Sequence, residues 1–96
     1  MRRIVTLFLY IILVSCAVAP PVQEMSDARQ AINAAREANA SQFAPGSLKK
    51  AEDSLDEATR GLEQGHYLDA REAARAARSH AIRARDEALA TPASGR

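Results

Sequence analysis

From position 24 onward the apolar residues recur at steps of three and four, and no stretch alternates apolar with polar as a half-buried strand would. Ala28, Ala31, Ala35 and Ala38, with Met25 and Ile32 alongside, mark one face of a first helix over residues 24–40. Glu24 and Asp27 suit its positive N-terminal end. Residues 39–46 break the pattern. Pro45 is tolerated only in a first turn, so a second helix is expected over residues 45–64, with Leu48, Ala51, Leu55, Ala58 and Leu62 on its face. Gly65 fits the left-handed residue that closes a helix. A third helix is expected over residues 67–89, with the seam Ala70, Ala74, Ala77, Ala81, Ala84 and Ala88. Thr91-Pro92 ends it and leaves residues 91–96 as a loose tail.

The pattern therefore predicts an all-α domain over residues 24–90, a three-helix antiparallel bundle or hairpin with alanine-rich seams. The short link at Gly65-His66 makes the second and third helices antiparallel. Aligning their seams sets Leu62 level with Ala70, Ala58 with Ala74, Leu55 with Ala77 and Ala51 with Ala81. It also places Asp53, Asp56 and Glu57 opposite Arg75 and Arg78. Alanine lets backbones approach closely but buries little area. At about 25 cal/mol per Å² of apolar surface, the expectation is a slim bundle of modest stability that a second copy or a partner completes.

Before position 24 the pattern is different. Arg2 and Arg3 precede a mainly apolar run at residues 4–14, and the leader ends in Leu13-Val14-Ser15-Cys16. Eleven apolar residues are too few to span a bilayer, which takes about 20. A basic start, a short apolar stretch and a small-residue exit fit a secretory signal. Leu13, Val14 and Ser15 before Cys16 resemble the lipobox of bacterial lipoproteins. That resemblance implies removal of residues 1–15, a diacylglyceryl group on the Cys16 thiol and acylation of the new amine. Residues 16–23, with Pro20-Pro21, then form an extended tether. By similarity to enterobacterial lipoproteins, the lack of Asp at position 17 points to the inner leaflet of the outer membrane. Cleavage at an A-x-A-like site such as Ala17-Val18-Ala19 would instead release a soluble periplasmic protein.

Charge and length narrow the function. The chain has 96 residues, and loss of 1–15 leaves 81, one small domain. Its 13 basic residues then fall to 11 against 12 acidic, a net charge of −1. That balance argues against nucleic acid, which needs a basic face, and gives no reason for long-range attraction to anionic lipid. The single cysteine makes no internal disulfide. His66 and His80 lie fourteen residues apart with no thiol at ligand spacing, so no metal site is expected. Glu52, Asp53, Asp56 and Glu57 sit on a polar helix face, where nothing would shift a pKa for acid-base work. No nucleophile triad or phosphate-binding loop is present. The expectation is a protein with no catalytic residues, no cofactor beyond the lipid and no small-molecule substrate. Arg71, Arg75, Arg78 and Arg85 form its candidate interaction surface.

A further resemblance covers residues 21–89. Pro21-Val22-Gln23-Glu24-Met25, Phe43-Ala44-Pro45, Gly65-His66-Tyr67-Leu68-Asp69-Ala70 and the closing Ala88-Leu89-Ala90 resemble the domain-of-unknown-function family 4398. The resemblance implies an all-helical, tetratricopeptide-like lipoprotein of Gram-negative envelopes. Some members carry a peptidoglycan-binding domain of the OmpA type. The expectation for this chain, which ends at Arg96, is the helical part alone. The family offers no catalytic residues to carry over. The function expected is a helical scaffold with an envelope protein partner and at most weak homo-oligomers. The rival is a self-associating spacer resembling murein lipoprotein, which Pro45, Gly65 and the lack of a terminal lysine disfavour.

Overall fold

The computed structural model describes residues 19–91. The signal segment, with Leu13, Val14, Ser15 and Cys16, and the tail at 92–96 lie outside the described residues. Four helices follow one another: α1 (Val22–Glu37), α2 (Ala40–Phe43), α3 (Pro45–Glu63) and α4 (Tyr67–Ala90). Among the described residues there is no strand.

Each boundary has a local cause. Pro21 sits just before α1, and its carbonyl accepts the Met25 N–H at 3.1 Å. Its fixed φ suits a helix start. The helix therefore begins at Val22 and takes in the last two residues of the stretch expected to be an extended tether. At the other end Asn39 takes a left-handed φ of 65°, a conformation that asparagine tolerates better than most residues. Its N–H reaches the Arg36 carbonyl at 2.9 Å, which stops α1 before Ala40. The Asn39 carbonyl then accepts the N–H groups of Gln42 and Phe43, both at 3.0 Å, and makes residues 40–43 a helical turn rather than a plain break. Pro45 is the first residue of α3, as its missing N–H favours.

The α3–α4 link is a Schellman motif. Gly65 has φ +77°, the His66 N–H bonds the Gly61 carbonyl at 2.8 Å, and the Gly65 N–H bonds the Leu62 carbonyl at 3.1 Å. Close by, Gly61 lies against α4. A Cβ there would stand 3.1 Å from the Ala70 Cβ and 3.3 Å from its backbone N and Cα. A side chain at position 61 would push the two helices apart at their turn.

The core falls into two clusters. Met25, near the start of α1, shares one with Ala58 near the end of α3 and with Ala73 and Ala74 near the start of α4; Leu62 packs against it. Ile32 and Ala35 share the other with Ala40, Ala44, Leu48, Ala51, Ala81, Ala84 and Ala88, and Leu55 packs against that one. The expected levels of Ala58 with Ala74, and of Ala51 with Ala81, therefore meet in shared clusters. Thirteen of the sixteen buried apolar residues are alanine, and no polar or charged residue is buried among the described residues.

Two expectations about packing change. On α1 the buried row is Met25, Ala28, Ile32 and Ala35, while Ala31 and Ala38 are half-buried at its flank. The two larger side chains fill space that alanine would leave empty. On α4 all six seam alanines are fully buried, and Ala74, Ala81, Ala84 and Ala88 share clusters with residues of α1 and α3. No alanine seam on α4 is left for a second copy or partner to cover.

Candidate interaction surface

One residue along from the alanine seam, α4 carries a second row. Leu68, Arg71, Arg75, Arg78, Ile82, Arg85 and Leu89 follow one another at steps of 3, 4, 3, 4, 3 and 4, the spacing of one helical face. The exposed large hydrophobics of the described chain are Val22 at 66%, Leu68 at 64%, Ile82 at 41% and Leu89 at 56%. Three of these four lie in this row. Sequence reasoning singled out the arginines and passed over the apolar residues between them. The signal was available, as the same step pattern offset by one position.

The four candidate arginines do not share one environment. Arg71 is half-buried. Its Nε stands 3.3 Å from Glu24 Oε2 and its Nη2 donates to the Ala19 carbonyl at 3.2 Å. The same Glu24 oxygen has no well-aligned hydrogen bond, so its contact with Arg71 is one of charge rather than of a directed bond. Arg71 thus fastens the segment entering α1 to the start of α4. Pro21 in that segment is fully buried, and the Val22 N–H bonds the Pro20 carbonyl at 2.9 Å. From Ala19 onward the expected tether lies fixed on the fold. Arg75, Arg78 and Arg85 are exposed and have no hydrogen-bond or ion-pair partner among the described residues.

The acids of α3 do not answer those arginines. Asp53 pairs with Lys49 on its own helix at 3.1 Å, and Glu52 pairs with Arg36 of α1. Glu57 shares a surface groove with Asp69, Glu72, Ala73 and Ala76 of α4. The first turns of α4 therefore turn acids, Asp69 and Glu72, toward α3, and the flank carrying Arg71 faces α1. Seam alignment set the correct levels but could not say which flank each neighbour takes. The side-chain link seen between α3 and α4 is Ser47 Oγ donating to the Glu87 carboxylate at 3.0–3.1 Å.

Elsewhere, an open cleft of about 360 Å³ lies between α1 and α3, lined by Arg29, Ile32, Asn33, Leu55 and Asp56 and bordered by the Arg36–Glu52 pair. His66 is exposed beside the turn and His80 is half-exposed on α4. Among the described residues no three His, Cys, Asp or Glu side chains are placed to hold a metal ion, and no helix is long and apolar enough to cross a membrane.

No curated protein and no solved structure matches the chain. A family model does, over residues 23–95, which takes in nearly all of the helical architecture described above. With a match of that extent to an all-helical fold, the chain belongs to the family DUF4398, a domain of unknown function.

Proposed function

We propose that this protein is a lipid-anchored component of a bacterial envelope, held by Cys16 in the inner leaflet of the outer membrane and facing the periplasm. It acts there as a non-catalytic helical interaction module. The observation that carries this reading is the fixed entry to the fold. Ala19 is bonded by Arg71 and Pro21 is buried, only a few residues after Leu13-Val14-Ser15-Cys16. A chain cut before Cys16 would keep every residue the helices use.

The domain is read as an antiparallel bundle of α1, α3 and α4, with α2 as a turn between the first two. The shared clusters at each end of α1 support that path. Binding is supported by the exposed arginines and apolar residues of α4 and by the open cleft between α1 and α3. The α1–α3 cleft, with its mixed charges, is the face offered to an envelope protein partner.

Membrane fractionation in a Gram-negative host tests the localisation. The native protein should band with outer membrane and the Cys16→Ser variant should not. Recovery of both in the soluble periplasm would leave a soluble helical protein instead.

A further inference from the structure

The entry segment and the second row of α4 meet at one residue. Arg71 belongs to the row Leu68, Arg71, Arg75, Arg78, Ile82, Arg85, Leu89, and Arg71 also holds the Ala19 carbonyl. Three residue steps separate Cys16 from Ala19. Fully extended they reach about 11 Å at most, so a lipid on Cys16 keeps the start of this row close to the bilayer.

From this juxtaposition we infer that the domain lies on its side on the membrane. The row on α4 faces the bilayer, Arg75, Arg78 and Arg85 sit at lipid phosphates, and Leu68, Ile82 and Leu89 enter the interface. The inference rests on the anchoring reading above and adds an orientation and a ligand, the anionic headgroup.

Three observations favour the bilayer over other occupants. The row contains no acidic residue, and its three outer arginines have no protein partner among the described residues. Exposed Leu68, Ile82 and Leu89 share the face with them at helical spacing, so the row offers an interface both cations and apolar groups. The segment leading to the anchor lies against this row, at Arg71, and not at the α1–α3 cleft. The net charge of −1 conceals the arrangement, because most acids lie on α1, on α3 and at Asp69 and Glu72 of α4, with Asp86 alone beside the row. Anionic lipid responds to the local cluster and only within a Debye length.

Upright and lying orientations differ at the far end. Leu89 lies eighteen residues beyond Arg71, about 27 Å along the helix. An upright domain brings Leu68 to the membrane and holds Leu89 away. A lying domain brings both. The chain has no tryptophan and one cysteine, which makes the test clean.

Residues 16–96 are coupled through Cys16 to maleimide-headgroup lipid in vesicles of phosphatidylcholine and phosphatidylglycerol. Tryptophan is placed singly by Leu68→Trp, Leu89→Trp or Asp53→Trp, the last on the exposed side of α3, and circular dichroism checks that each variant is folded. With lipids brominated high in the acyl chain, Leu68→Trp and Leu89→Trp emission should fall at least twofold more than that of Asp53→Trp. The Leu89→Trp quenching should be lost with Arg75→Gln, Arg78→Gln and Arg85→Gln combined. Leu89→Trp emission no more quenched than Asp53→Trp would overturn the inference. So would a vesicle-independent dimer that shields Leu89→Trp. Because the coupling is chemical, a cell that leaves Cys16 unmodified defeats the anchoring reading and leaves this measurement intact.

Discussion

Two rows of α4 run side by side, one residue apart, and share almost no chemistry. Ala70, Ala74, Ala77, Ala81, Ala84 and Ala88 are fully buried and bring α1 and α3 close to the helix. Leu68, Arg75, Arg78, Ile82, Arg85 and Leu89 are exposed and touch neither ion-pair partner nor core. The first row is what folding uses. Only small side chains fit, and each contributes little, so stability depends on the whole set. The second row has no structural task beyond Arg71, which leaves its arginines and large apolar groups available for binding. Two neighbouring positions such as Ala77 and Arg78 can therefore tolerate very different changes.

That contrast is broken or sharpened by substitution, with stability read from thermal and denaturant unfolding of residues 16–96. Ala77→Asp puts an unpaired charge into a core that has no polar partner for it. A cost of about 3–5 kcal/mol is expected, most of the total of about 4–10 kcal/mol for a domain this size. Helicity should collapse, whereas Arg78→Asp next to it should stay within about 0.5 kcal/mol of the native chain. Equal losses for the two would erase the distinction between the rows.

Gly61→Leu ranks second. Its side chain meets the Ala70 Cβ and backbone, which can yield only if α3 and α4 separate. The expected loss is about 1–3 kcal/mol, and an unchanged midpoint would show that the close approach is not needed. Arg71→Met ranks third. It keeps the apolar stem, removes the charge facing Glu24 and frees the Ala19 carbonyl. The pair is about a quarter to a third exposed, so solvent screening holds the expected loss to about 1 kcal/mol. If Arg71→Met unfolds no earlier than the native chain, Arg71 belongs functionally with Arg75 and Arg78.

Much of the fold was legible because helical spacing and punctuation agree. Pro45, Gly65 and the alanine ladder each mark what their physics requires. Three features were not legible. Pro20-Pro21 suggests extended chain, yet Pro21 is buried before α1, because proline suits a helix start as well as a tether. Asn39 closes α1 early by a left-handed turn that its sequence neighbours do not announce. The flank of α4 that meets α3 was assigned wrongly, because aligning two seams fixes the height of each residue and leaves open the side that α1 takes. The arginines of the candidate surface could be named from sequence. That Arg71 is committed to Glu24 and Ala19 while the others stay exposed depends on that same choice of side.

The proposed role depends on a helical domain held to a membrane at Cys16. Its most direct test is the intact mass of the protein extracted from the membranes of a Gram-negative host, beside Cys16→Ser. The account predicts residues 16–96 plus acyl chains, and loss of that species in the variant. An unmodified chain beginning at Val18 or Pro20 would contradict it.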